Sequence, residues 1–127
     1  MSLNLLIVDD SAAIRKILRR VLLQADVPVG TVYEAGDGQE ALARLRENQI
    51  GLILTDINMP KMDGLHLLKC LKSNDLWKDL PVVMITTEGS PAKVLEAVQL
   101  GASGYVRKPF TPEQIQEKLG SFFDARR

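Results

Sequence analysis

The sequence predicts an α/β fold, with a single doubly wound sheet of five parallel strands and five helices. Three observations support this prediction. Short apolar runs alternate five times with longer segments of helical period. The first, third and fourth of these runs are continuously apolar, as expected for strands that are buried on both faces. Polar residues follow four of the five runs, at the ends where open parallel sheets bind ligands.

The first half of the chain carries three predicted strands and two helices. Leu3–Val8 is a continuous apolar run and predicts the first strand. A weaker strand, Thr31–Ala35, precedes a helix over Gln39–Asn48, and Gly51–Thr55 predicts the third strand. The helix after the first strand is marked by apolar residues at helical spacing, which are Ile14, Ile17, Leu18, Val21 and Leu22.

The second half repeats the pattern. Pro81–Thr86 is the most strand-like segment, and Gly104–Arg107 predicts the fifth strand. Ser90-Pro91 is typical of a helix start, and Thr111 with Gln114 forms a capping-box pattern before the last helix. The apolar residues that mark the three helices are Leu65, Leu68 and Leu71, then Val94, Leu95 and Val98, and finally Ile115, Leu119, Phe122 and Phe123.

Length and composition limit the classes of protein to consider. The 127 residues are enough for one domain, so we expect a single domain over 1–127 without an output domain. Sixteen basic and sixteen acidic residues give zero net charge, which argues against direct binding to nucleic acid or to a membrane surface. One cysteine allows no intramolecular disulfide, and the first apolar run is too short for a secretory signal. A reducing, cytoplasmic location is therefore expected.

The polar strand ends form a candidate metal site. The carboxylates of Asp9, Asp10 and Asp56 are expected at one edge of the sheet, where their mutual repulsion would be offset by a hard divalent cation. Carboxylate and carbonyl oxygens suit Mg²⁺ or Mn²⁺, and the backbone carbonyl of Asn58 is a further candidate ligand. The only histidine, His66, lies on a helix, so no zinc cluster is expected. We expect His66 to face solvent, and Cys70, four residues later, to be buried.

The same edge carries groups suited to phosphoryl transfer. Asp56 beside a metal ion could attack a phosphoryl group as a nucleophile and form an acyl phosphate. Charge on the transferring group spreads over three oxygens, which would be served by the metal, the Lys108 ammonium and the Thr86 hydroxyl. Each of these residues alone has a simpler explanation, such as a helix cap or a solvated lysine. Their combination favours the functional interpretation.

Four segments together carry a resemblance to a known family. They are Val8–Ser11, Thr55–Gly64, Ile85–Glu88 and Tyr105–Phe110. In order and spacing they resemble the receiver domains of bacterial response regulators, over about Leu3 to Phe123. The resemblance implies a flavodoxin-like strand order 2-1-3-4-5 and a cis peptide between Lys108 and Pro109. It also implies that Asp56 accepts a phosphoryl group from a sensor histidine kinase in a Mg²⁺-dependent reaction.

Within that family the chain is most similar to the stand-alone chemotaxis regulators of the CheY type. This similarity implies that Thr86 and Tyr105 act as switch residues, and that Asn58, Thr87 and Glu88 tune water access to the phosphoryl group. It also implies that an effector, with the flagellar motor switch as the candidate, binds a face formed by the fourth helix, fifth strand and fifth helix. The residues of that face are Lys93, Val94, Tyr105, Arg107, Lys118 and Phe122. A monomer is expected, with weak dimerisation through the fourth helix left open.

Other functions fit the sequence less well. A phosphate sink or relay, or a receiver domain from a larger regulator, would use the same site. A DNA-binding regulator would also need a basic helix-turn-helix unit. A flavodoxin-like flavin carrier would need a Ser/Thr/Gly-rich phosphate loop where Asp9 and Asp10 stand. An aspartate-based phosphatase would need an acid at Asn58. The chain is therefore expected to catalyse only its own phosphorylation and dephosphorylation, without an independent substrate.

Overall fold

The computed structural model describes residues 3–87 and 90–124, except for the side chain of Asp124. Within these residues, five strands alternate with five helices. The strands are β1 (Leu3–Val8), β2 (Val29–Ala35), β3 (Leu52–Thr55), β4 (Val82–Thr86) and β5 (Gly104–Arg107). The helices are α1 (Ala12–Gln24), α2 (Gly38–Glu47), α3 (Gly64–Lys72), α4 (Pro91–Gln99) and α5 (Pro112–Asp124). All strand pairs are parallel, in the order β2-β1-β3-β4-β5, so the predicted fold and strand order are confirmed.

Alternation along the strands divides the core into two layers. Successive side chains of a strand point to opposite faces of the sheet. In β1, Leu5 and Ile7 pack with α1 and α5, whereas Leu6 and Val8 pack with α2, α3 and α4. All four side chains are fully or almost fully buried. Both faces of the sheet are thus covered, which explains the continuous apolar runs of the central strands.

Helix α5 starts with the predicted capping box, whereas α4 starts at the predicted Ser90-Pro91 pair without a capping hydrogen bond to the Ser90 side chain. Thr111 and Gln114 bond reciprocally, since each backbone N–H donates to the other's side-chain oxygen, at 2.9 and 3.2 Å. Asp63 caps α3 by accepting a 2.8 Å hydrogen bond from the N–H of His66. Ser11 caps α1 in the same way through Ile14 N–H, at 3.2 Å. These caps fix where each helix leaves the carboxyl edge of the sheet.

Some apolar helix residues are less buried than their spacing suggests. Ile17 of α1 is 48% exposed, and Leu95 and Val98 of α4 are more than half exposed. Only Ala97 of α4 is fully buried, so a small side chain forms its closest packing against the sheet. The prediction that Cys70 is buried is wrong, because its thiol is half-buried at the margin of the buried face of α3. His66 is exposed, as predicted.

Across residues 3–87 and 90–124, no helix combines the length and the apolar character needed to cross a bilayer.

Candidate functional site at the carboxyl edge of the sheet

Backbone pairing beyond the strand ends places Asp9 and Asp56 side by side. The last residues of β1 and β3, Val8 and Thr55, are paired in the sheet. One residue further, the N–H of Asp56 donates to the carbonyl of Val8 at 2.9 Å. The N–H of Asp9 donates to the carbonyl of Ala35, at the end of β2, at 3.0 Å. Three strands thus hold the backbone of both aspartates.

The three predicted carboxylates form a cluster. Asp9, Asp10 and Asp56 each offer an oxygen within 4.8 Å of the other two. Asp9 is 5% exposed, Asp56 is half-buried and Asp10 is exposed. In octahedral Mg²⁺ coordination, ligand oxygens lie about 3 Å apart when adjacent and about 4 Å apart when opposite, because each lies about 2.1 Å from the ion. Three carboxylate oxygens within 4.8 Å of one another, one of them on an exposed side chain, form a donor set that fits a hard divalent cation.

Lys108 enters the cluster from the end of β5. Its Nζ lies 2.7 Å from Asp9 Oδ2 and 3.3 Å from Asp56 Oδ2. The side chains of Lys108 and Asp56 are each 12% exposed. The N–H of Lys108 donates to the carbonyl of Thr86 at 2.9 Å, and the Lys108–Pro109 peptide is cis, as the resemblance implied. The ammonium is therefore held between two carboxylates in a mostly water-excluded position.

The oxygens of each paired carboxylate have different partners. Asp9 Oδ1 accepts a 2.9 Å hydrogen bond from the N–H of Ser11, and Asp56 Oδ1 accepts a 2.7 Å bond from the N–H of Ile57. The Oδ2 atoms of both residues face Lys108. Backbone donors therefore fix the carboxylate planes and leave the two Oδ2 atoms directed into the site.

Gly64 makes a backbone contact that the sequence analysis did not anticipate. A Cβ atom at this position would lie 2.0 Å from the backbone oxygen of Asp56, well inside contact distance. The N–H of Gly64 donates to the carbonyl of Ile57 at 2.8 Å, and the Thr55 hydroxyl donates to the carbonyl of Asp56 at 2.9 Å. The absence of a side chain at Gly64 lets α3 begin directly against the Asp56 backbone.

Arg15 and Glu34 are two further residues near the site that the sequence analysis missed. The Arg15 guanidinium donates through Nη1 to the carbonyl of Asp9 and through Nε to Glu34 Oε1, at 2.8 Å for the latter. Arg15 lies on α1, six residues beyond Asp9, and Glu34 lies on β2. The only sequence signal was an arginine in the helix that follows the two aspartates, and a charged residue on the weakest strand.

The residues expected to tune the site differ in their surroundings. Thr86 is fully buried at the end of β4, whereas Thr87 and Asn58 are exposed. Glu88 lies outside the described residues. The Asn58 carbonyl as a metal ligand stays a prediction.

Most of the predicted partner face lines one groove. The groove has a volume of about 360 Å³ and lies between α4, β5 and α5. Its lining residues are Val94, Tyr105, Val106, Arg107, Gln114 and Lys118. The hydroxyl oxygen of Tyr105 is buried. Lys93 is exposed on α4, and Phe122 packs against the α1/α5 layer of the core.

Comparison with known proteins gives consistent matches over almost the whole chain. Residues 5–120 match the model of the response regulator receiver domain. Chemotaxis protein CheY1 of Helicobacter pylori is 42% identical over 118 residues, which are 92% of this chain and 94% of that protein. The structure of the chemotaxis response regulator CheY4 of Vibrio cholerae covers 96% of this chain and 99% of its own, with 36% identity and a TM-score of 0.84. The Mn²⁺-bound form of response regulator Rcp1 covers 91% and 92%, with 27% identity and a TM-score of 0.80.

Proposed function

The chain belongs to the response regulator receiver domain family, and on this basis we propose that it is a phosphorylation-activated switch of two-component signalling. The observation that carries the proposal is the position of Lys108, whose ammonium lies between Asp9 and Asp56 beside a third carboxylate, Asp10. An acidic cluster alone would support only cation binding. A cluster with an ammonium in a mostly water-excluded position adds a group that stabilises charge on a phosphoryl group.

Asp56 is the proposed phosphoryl acceptor. Its Oδ1 is occupied by the N–H of Ile57, so Oδ2 is the oxygen available for attack. Attack on a phosphohistidine forms an O–P bond to Asp56 and breaks the N–P bond of the donor, and the leaving imidazole keeps the electron pair and takes up a proton. Lys108 already lies beside Oδ2 and would neutralise one oxygen of the transferring group.

Asp9, Asp10 and Asp56 are the proposed ligands of Mg²⁺ or Mn²⁺, with the Asn58 carbonyl as a further donor. Their separations support this assignment, as does the Mn²⁺-bound form of the similar regulator Rcp1. A bound divalent ion would neutralise charge on the carboxylates and on the phosphoryl oxygens. The protein's own contribution is to hold three acidic side chains at one edge despite their mutual repulsion.

Backbone pairing between β4 and β5 offers a route from the site to the groove. Thr86, at the end of β4, is paired with Arg107, and Met84 is paired with Tyr105. The Thr86 carbonyl also accepts the N–H of Lys108. A movement of Thr86 toward a phosphoryl group on Asp56 would therefore act directly on Arg107, one of the β5 residues that line the groove. We infer that Thr86 and Tyr105 are the switch residues and that the groove binds the effector.

The proposed partners are a sensor histidine kinase as phosphoryl donor and an effector protein, with the flagellar motor switch as the first candidate. The similarity to two chemotaxis regulators supports the chemotaxis assignment. Such a partnership would place the protein in the cytoplasm. Its chemistry would be confined to its own phosphorylation and dephosphorylation, without turnover of an independent substrate.

Phosphorylation by a small donor tests the acceptor without requiring the kinase. The wild-type protein, Asp56→Asn and Asp63→Asn would be incubated with acetyl phosphate and Mg²⁺ and analysed by intact mass. Asp63 caps α3 and serves as a matched aspartate outside the carboxylate cluster. We expect one added phosphoryl group in the wild type and in Asp63→Asn, and none in Asp56→Asn. Labelling that persists in Asp56→Asn would refute the assignment of the acceptor.

Effector binding is tested with the N-terminal peptide of a flagellar switch protein, carrying a fluorescent label. Its affinity would be measured with and without Mg²⁺ and beryllofluoride, which stands in for the phosphoryl group on Asp56. Binding that tightens only in the activated wild-type protein, and not in Asp56→Asn, is the expected result. If the reagents shift the protein's NMR spectrum but the peptide does not bind, the receiver function stands and the motor assignment fails.

A further inference from the structure

The side chain of Asp10 is held differently from those of the other two aspartates in the cluster. Asp9 and Asp56 each have one oxygen fixed by a backbone N–H and the other paired with Lys108. Asp10 is exposed, and its carboxylate forms no hydrogen bond or ion pair with any residue of the described chain. The position of the Asp10 carboxylate therefore depends on the backbone that carries it.

That backbone is held by Arg15. The peptide unit between Asp9 and Asp10 includes the Asp9 carbonyl, which accepts a hydrogen bond from Arg15 Nη1. The N–H of Asp9 donates to the carbonyl of Ala35 at the end of β2, at 3.0 Å, so the sheet still holds this amide group. The next peptide unit, between Asp9 and Asp10, lies beyond the strand ladder, and Arg15 fixes its plane. The guanidinium side chain is 18% exposed, so water competes weakly for this bond.

Glu34 orients the Arg15 guanidinium. Its Oε1 accepts Arg15 Nε at 2.8 Å, and its Oε2 accepts Arg19 Nε at 3.0 Å. Arg19 also donates to the carbonyl of Val32 at 2.9 Å, so it braces Glu34 against β2. The planar guanidinium of Arg15 can donate to Glu34 and to Asp9 at once, which a lysine ammonium on a flexible stem does less well.

We propose that Arg15, oriented by Glu34, is a positioning residue for the metal site and acts by fixing the peptide unit that directs the Asp10 carboxylate. The inference rests on the proposed metal-binding function and extends it to residues that touch no metal ligand side chain. Outer partners of metal ligands commonly change metal affinity by about 10-fold to 100-fold when removed. Charge alone predicts the opposite effect, namely tighter Mg²⁺ binding when Arg15 is removed, because loss of a nearby cation should favour binding of a divalent ion.

A double-mutant cycle on Mg²⁺ affinity tests the proposal. Dissociation constants would be measured by NMR titration of amide shifts in the wild type, Arg15→Met, Asp10→Asn and the double variant. We expect Arg15→Met to weaken Mg²⁺ binding by about 10-fold in the wild-type background and to have little effect when Asp10 is already Asn. Arg15→Lys should recover part of the loss. Arg20→Met, which removes an exposed arginine of the same helix that contacts neither Glu34 nor Asp9, is the matched control and should bind Mg²⁺ like the wild type.

The outcomes separate the two hypotheses. If Asp10→Asn leaves Mg²⁺ affinity unchanged, the proposed metal site is wrong and the positioning role falls with it. If Asp10→Asn weakens binding but Arg15→Met does not, or tightens it, the metal site stands and the role of Arg15 is refuted. If Arg15→Met lowers Mg²⁺ affinity equally in the wild type and in Asp10→Asn, the role of Arg15 is also refuted, because Arg15 would then not act through Asp10. Melting temperatures of all variants show whether a change in affinity merely follows general destabilisation.

Discussion

The Lys108 ammonium lies 2.7 Å from Asp9, although 99 residues separate the two in the chain. It also contacts Asp56 at 3.3 Å and so links the ends of β1, β3 and β5 through one cation. Asp10 adds a third carboxylate, which leaves more negative than positive charge in the cluster. The arrangement can therefore accept a divalent cation. In the absence of metal, Lys108 offsets part of the repulsion among the three carboxylates.

Mg²⁺ should raise the melting temperature of the wild-type protein. An ion that binds only the folded site stabilises it by about 2.7 kcal/mol at 100 times its dissociation constant. Asp56→Asn removes a ligand charge and should weaken this response at equal Mg²⁺ concentration. Thermal denaturation with and without Mg²⁺ measures the effect, and Asp63→Asn is the control with an intact cluster. A melting temperature that is indifferent to Mg²⁺ would count heavily against the metal site.

Lys108→Gln should change metal binding and phosphorylation in opposite directions. Removing the ammonium eliminates the cation that pairs with Asp9 and Asp56, so Mg²⁺ affinity should rise. The same variant loses a donor to the transferring phosphoryl group, and its rate of phosphorylation by acetyl phosphate should fall by about 100-fold. Titration and intact-mass kinetics measure the two quantities. A parallel loss of both would indicate that Lys108 mainly holds the site together.

The sequence predicted the sheet and most of the site because both follow from local patterns. Continuous apolar runs marked β1, β3 and β4, and the polar residues after them fall at one edge once the strands are parallel. The strand order itself came from family resemblance. The start of β2 was placed at Thr31, whereas the strand begins at Val29, which pairs with Leu3 before an irregularity in the register.

Contacts that depend on how the helices and loops pack could not be predicted from these patterns. The bond from Arg15 to the Asp9 carbonyl depends on how α1 packs beside β2, which no periodicity encodes. The close approach of Gly64 to Asp56 depends on the path of the loop after β3. The exposure of Leu95 and Val98 depends on how little of α4 packs on the sheet, although their spacing is that of a buried helix face.

Gly64→Ala should destabilise the protein and displace the Asp56 backbone. The added Cβ would lie 2.0 Å from the Asp56 oxygen, and backbone atoms cannot yield as a flexible side chain can. Overpacking of this kind lowers the free energy of unfolding by about 1–3 kcal/mol or more. Gly120→Ala in α5 is the matched control, because its Cβ would meet nothing within 4 Å. A helix-interior Ala there should stabilise by about 0.5–1 kcal/mol. Urea denaturation gives the free energy of unfolding of both variants. Equal values for Gly64→Ala and Gly120→Ala would contradict the prediction.

Asn58→Ala and Glu88→Ala should each change the lifetime of the phosphorylated protein. Asn58 is exposed two residues after the acceptor, where its amide can order or obstruct a water molecule that approaches the acyl phosphate. Glu88 follows the switch segment at Thr86-Thr87 and is expected to act on the same water. Decay of the phosphoryl label by intact mass, after removal of acetyl phosphate, gives the rate constant for each variant. Asp75→Asn is the control, because Asp75 is almost fully exposed and pairs only loosely with Lys78, at 3.6 Å. Decay rates equal to the wild type in both test variants would remove these residues from the control of hydrolysis. Thr87→Ala would then be the next variant to measure, because Thr87 is the remaining residue predicted to tune water access to the acyl phosphate.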